Sequence, residues 1–158
     1  MPRFESSSKR PRGGNRPARH HTVNPALIVA DVPGMVDFLV RAFDGEALQK
    51  MALPDGRVIH AEVTIDDSLV MIMAPRRGAP PMPCSLGLYA DDVDTTYARA
   101  MAEGARSLEE PRDQVYGHRT ARVEDPAGNQ WTIHTVIENP SAEAIYRRSA
   151  EVVARKIH

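Results

Sequence analysis

Val123-Glu124-Asp125-Pro126-Ala127-Gly128-Asn129-Gln130-Trp131-Thr132-Ile133-His134-Thr135 decides how the chain is read. Pro126 presets one turn position, Gly128 accepts the φ that closes the turn, and Asp125 can bond back to the turn backbone. The Trp-Thr-Ile-His-Thr run that follows is aromatic and β-branched, which suits a pleated, half-buried surface. The stretch is therefore strand, tight turn, strand. Moving back 61 positions from it lands on Asp66-Asp67 and Leu69-Val70-Met71-Ile72-Met73, a turn and strand of the same shape. The same offset pairs Gly56 with Gly117, Asp31 with Asp92, Val32 with Val93 and Leu27 with Leu88. The chain contains one small unit twice.

Each copy spells out the same elements. Thr22 to Ala30 is expected as a strand, and Asp31 then caps a helix whose first turn accepts Pro33. Met35, Val36, Leu39, Val40 and Phe43 recur at helical spacing and define its buried stripe, which Gly45 ends. Strands follow at about 47–53, 57–65 and 68–74, turned by Pro54-Asp55-Gly56 and by Asp66-Asp67. Residues 76–83, with Gly78, Pro80, Pro81 and Pro83, form a linker. The second copy has a strand over 85–90, a helix capped by Asp91 or Asp92, and a buried stripe of Val93, Tyr97, Ala100 and Met101. A short strand near 106–109 leads into a loop from Pro111 to Gly117, and two strands flank the opening motif. The fold class is α+β: two βαβββ modules, 22–75 and 84–137. Residues 139–158 add a helix that packs across the domain or onto a second subunit.

Composition narrows the function classes. With 158 residues, 42% hydrophobic and 26% charged, the chain suits one domain or two halves sharing a core. No apolar run approaches the roughly 18 residues that span a bilayer, and the N-terminus lacks the apolar stretch of a secretory signal. Cys84 is the only cysteine, so a buried thiol in a reducing, cytoplasmic setting is expected. Residues 1–21 carry six Lys or Arg against Glu5, leaving 14 basic and 20 acidic residues and a net of −6 on the remainder. Residues 1–21 thus read as a disordered basic tail, either a solvated extension or an arm for phosphate-rich partners. The acidic body, with no aromatic-basic surface pattern, argues against nucleic acid.

Val-Asn-Pro-Ala-Leu-Ile-Val-Ala-Asp (23–31), Arg-Ala-Phe (41–43), Asp-Gly-Arg-Val-Ile-His-Ala-Glu (55–62) and Val-Glu-Asp-Pro-Ala-Gly-Asn-Gln-Trp (123–131) occur in an order that resembles the glyoxalase/bleomycin-resistance/dioxygenase superfamily, also called vicinal oxygen chelate. His60-Ala61-Glu62 and Asp113-Gln114…Tyr116-Gly117…Arg119 look most like its PhnB-like branch. The resemblance covers residues 22–137 and implies a cupped eight-stranded mixed sheet, curled as two half-sheets facing one cleft, with four metal-ligand slots, which fall here on Asn24, Met71, Ser85 and Thr132. Amide and hydroxyl oxygens and a thioether sulfur are poor partners for a divalent ion that wants imidazole or carboxylate. No cofactor is therefore expected, and the resemblance points to a small-molecule binder, as in members that sequester an antibiotic, forming a homodimer.

Individual residues fill out that expectation. Met71 and Met73 share a face and adapt to varied apolar ligands, or fill core. Tyr89 shares its face with Ser85 and Gly87 and can stack on a flat ligand. Gln114, Tyr116 and Arg119 either orient a polar ligand group or tie their loop to its own backbone. Trp131, of opposite parity to Thr132, is expected in the core. The competing reading is a metal-dependent lyase, isomerase or dioxygenase with non-standard ligands, for which His60, Glu62 and His134 are the candidates; the alternative for His60 and Glu62 is a plain surface pair, and for His134 strand-end solvation.

Overall fold

The computed structural model describes residues 16, 17 and 19–156. Most of the expected basic tail lies outside the described residues. The elements run β1 (Ala26–Ile28), α1 (Val32–Phe43), β2 (Glu46–Ala52), β3 (Val58–Ile65), β4 (Ser68–Met73), β5 (Ser85–Tyr89), α2 (Val93–Ala102), β6 (Arg106–Asp113), β7 (His118–Glu124), β8 (Gln130–Val136) and α3 (Ala142–Lys156). The α+β class and the two βαβββ units are as the repeat implied. Asp31 and Asp92, one repeat apart, both cap helices: their carboxylates accept from Gly34 N at 3.0 Å and Thr95 N at 2.6 Å. Gly56 and Gly117, another such pair, both take positive φ, 83° and 89°.

The eight strands form two four-stranded mixed sheets, the two half-sheets that the resemblance implied. Their orders are β1-β4-β3-β2 and β5-β8-β7-β6, each with one parallel pair, β1 with β4 and β5 with β8. Helix α1 covers the first sheet and α2 the second, and the two modules join where the helices touch. One apolar core runs through this junction, from Leu27, Ala61, Val63 and Ile72 through Val36 and Leu39 to Val93, Trp131 and Ile133. Phe43 of α1 lies 4.8 Å, ring to ring, from Trp131 of β8, so Trp131 is core as expected.

Two elements depart from the sequence reading. Strand β1 begins at Ala26, because Pro25 has no N–H for the ladder and Asn24 bonds His21 instead. Strand β6 continues to Asp113 where a loop was expected from Pro111. It lies at the sheet edge, where Pro is tolerated, and register shifts at Ser107/Glu109 and Glu109/Arg112 absorb the irregularity. The remaining turn is only Gln114 to Gly117, closed by Gln114 N on His118 O at 2.7 Å and Gly117 N on Gln114 O at 3.0 Å. In α1, Phe38 and Ala42 join the buried stripe and Val40 is half-buried; in α2, Thr96 joins it, and Tyr97 and Met101 are half-buried against the core.

Candidate functional site

The opening motif is held by one carboxylate. Asp125, 3% exposed, accepts from Ala127 N at 2.9 Å, Asn129 N at 2.9 Å, the Asn129 amide at 2.9 Å and Trp131 Nε1 at 2.9 Å. Asn129 in turn accepts from Cys84 N at 3.1 Å, so the turn also anchors the start of β5. Cys84 is half-buried. Burial, and then the charge of Asp125, push its thiol above the usual cysteine range, so it is no nucleophile at neutral pH.

With alternate side chains directed to the helices, each sheet keeps a second, open face. On the first sheet that face carries His60 and Glu62 from β3 opposite Met73 and Met71 from β4. On the second, Gly87 lies opposite Thr132, and Tyr89 opposite His134. Tyr89 is 67% exposed and stacks on His134 with centroids 5.0 Å apart and planes at 23°. His118 meets Tyr89, Tyr116 and His134 edge-on at 5.9, 5.1 and 5.7 Å. The buried Nδ1 atoms of His118 and His134 have no hydrogen-bond partner among the described residues. Burial, then the neighbouring His118, lowers the His134 pKa below its usual value, so the ring under Tyr89 is neutral at pH 7. Gly87 leaves His134 Nε2 open: a Cβ there would sit 3.8 Å from it.

Other anticipated site residues are engaged elsewhere. Arg119 forks onto Asp94 at 2.6 and 2.9 Å and bonds Asp113 at 2.8 Å, which raises its pKa and lowers that of Asp94. Gln114 Nε2 donates to Thr120 Oγ1 at 2.8 Å. Asn24 pairs reciprocally with the His21 backbone at 2.9 and 3.0 Å. Tyr116 remains 40% exposed beside His118. Ser85 is exposed and Thr132 half-buried. The structure adds two participants, His20 and His118. His20 Nε2 lies 3.3 Å, and His60 Nε2 3.4 Å, from the same Glu62 oxygen. His118 had a legible signal: it is even-spaced with Thr120 on β7, the parity of the open face.

The duplication also makes two counterpart hollows. One, of ≈ 490 Å³, is lined by Gly34, Met35 and Phe38 of α1 and by Pro126 and Ala127. The other, of ≈ 550 Å³, has Thr95, Thr96 and Arg99 at the repeat-related positions, with Asp44, Asp66 and Tyr89 among its walls. One is apolar and the other charged, and neither includes Met71, Ser85 or Thr132.

A family profile described as Glyoxalase/Bleomycin resistance protein/Dioxygenase superfamily matches residues 18–133. The chain belongs to that superfamily. Uncharacterized proteins of Mycobacterium bovis and Mycobacterium tuberculosis H37Rv are each 33% identical over 134 residues, which is 78% of this chain and 88% and 79% of theirs. Among solved structures, TioX from Micromonospora sp. ML1 superposes with a TM-score of 0.59 at 22% identity, covering 72% of this chain and 98% of that one. The fosfomycin resistance protein FosX from Listeria monocytogenes gives 0.55 at 18%, covering 80% and 98%. These structural likenesses concern the fold.

A superfamily chain of this kind invites a divalent ion at Asn24, Met71, Ser85 and Thr132. The donor set does not fit one: it has no imidazole or carboxylate, and its amide already bonds His21. Among the described residues no three His, Cys, Asp or Glu side chains are arranged to hold a metal ion. No helix of the described residues is long and apolar enough to cross a membrane.

Proposed function

We propose that this superfamily member binds a small amphipathic or aromatic molecule rather than performing metal-assisted catalysis, and that two copies complete the cup. The observation carrying this reading is Tyr89, exposed and stacked on a neutral His134 above the gap left by Gly87. An exposed aromatic held flat by a buried neighbour presents a ready stacking surface at little entropic cost. Met71, Met73, Ser85 and Thr132 supply the rest of the lining, with Tyr116 at the rim. The division of the strands supports the homodimer: among the described residues the two sheets are not paired with one another, and a partner can supply a second sheet to face each open surface. Within the superfamily, the His60-Ala61-Glu62 segment favours the PhnB-like branch, and the lone thiol favours the cytoplasm.

The test is thermal unfolding of untagged protein against a panel of aromatic and amphipathic compounds, with and without a chelator. A melting temperature raised by a compound in both conditions is expected; a rise only when metal is added would count against the reading. The second reading, a metal-dependent lyase, isomerase or dioxygenase, has His60 and Glu62 on one face in its favour. Stoichiometric metal in the purified chain, lost on His60→Ala, would promote it above the first.

A further inference from the structure

Glu62 occupies an unusual position for a carboxylate. Its side chain is 10% exposed in the middle of the first sheet's open face, between Gln49 of β2 and Met71 of β4. Among the described residues, no Lys or Arg reaches it, and Oε2 accepts no hydrogen bond. Its two neighbours, His20 and His60, both approach Oε1, and an imidazole is a cation only when protonated. A carboxylate withdrawn from water without a permanent counter-ion is costly to the fold and is a strong acceptor for any cation that reaches it.

His20 comes from a segment outside the repeated modules. That segment lies along the first sheet, with Arg19 on Glu46 at 3.2 Å and His21 Nε2 2.7 Å from Asp67 O. It thereby brings a nitrogen base of the chain itself onto the buried carboxylate. The thioethers of Met71 and Met73 beside it suit the alkyl or aromatic body that carries a ligand's charged group. The acidic body draws such molecules in.

Building on the binding reading above, we propose that Glu62 is the anchor for a cationic group of the bound molecule, an amine, amidine or guanidinium, and that His20 holds the position this group takes. The ligand class narrows from aromatic or amphipathic to cationic.

Two fluorescent dyes of opposite charge serve as probes: proflavine, a planar cation, and anilinonaphthalene sulfonate, an anion. Each is titrated by anisotropy into the full chain at about pH 7.5, where free imidazole is mostly neutral. Proflavine is expected to bind, and Glu62→Gln to weaken it about tenfold or more while leaving the anion unchanged. His20→Ala, which empties the position and leaves Glu62 in place, is expected to tighten proflavine severalfold; it keeps the test decisive should Glu62→Gln not fold. Binding of both dyes with neither variant changing the proflavine affinity beyond about twofold overturns the anchor and leaves the binder standing. Failure of proflavine to bind overturns the anchor, and failure of both dyes overturns the binder as well.

Discussion

At the residue scale, the most consequential side chain is Asp125. It gathers two backbone N–H groups, the Asn129 amide and the Trp131 indole in a buried site. Removing it strands four donors away from water, so Asp125→Ala should lower stability by about 3 kcal/mol or more, read from urea unfolding at neutral pH. His134 sets a pH dependence. Its folded pKa lies below the usual value of about 6.5, because of burial and then His118. The unfolded chain therefore takes up a proton first as pH falls, and stability present above pH 6.5 declines from there toward the folded pKa. Urea midpoints should fall between about pH 7.5 and pH 5.5, with a shallower slope in His134→Gln. Removing the stacking ring should also be visible: Tyr89→Ala is expected to weaken an aromatic ligand about threefold to tenfold by titration. At this scale the sequence was partly readable. Tyr89, Thr132 and Ser85 stand on the open face by strand parity alone. Arg119, Gln114 and Asn24 were candidates by chemistry, but Asp94, Thr120 and His21 engage them; Asn24 meets His21 within the same turn, whereas Arg119 finds Asp94 on a separate element.

At the element scale, turns and caps carry the duplication. Gly117 ends the turn after β6 with φ of 89°. A Cβ there would strike Glu138 O and stand 2.6 Å from Pro140 Cδ, where the chain leaves β8 toward α3. The backbone conformation and the collision act together, so Gly117→Ala should cost about 2–4 kcal/mol in thermal or urea unfolding. Gly56, its repeat partner with φ of 83°, has nothing within 4 Å of such a Cβ. Gly56→Ala should therefore cost less, about 1 kcal/mol, from φ alone. The pair separates backbone strain from packing. Helix starts were legible because capping is a contact across three residues; the length of β6 was not, because pairing with β7 overrode the local signal of Pro111.

For the whole molecule, the separation of the strands into two sheets is the feature with consequences. Among the described residues the two sheets are not paired with one another, and each keeps an open face, which the proposal gives to a second copy. Light scattering after size exclusion should give twice the 17.4 kDa chain mass, and a monomer that still binds aromatic ligands would sink the shared-cup proposal. Helix α3 is tied back by Arg148 on Glu138 and on the Val115 carbonyl.

The amino-acid sequence by itself determined the repeat, the order of elements, the helix caps and the tight turns, because each arises from interactions within a few residues and from the periods of strand and helix. It also determined the donor chemistry at Asn24, Met71, Ser85 and Thr132, since atom types do not depend on folding. Only the tertiary structure decided that His20 meets Glu62 and that Tyr89 lies on His134. Those are contacts between segments distant along the chain, made when α1 and α2 bury a common core, and no local pattern encodes them.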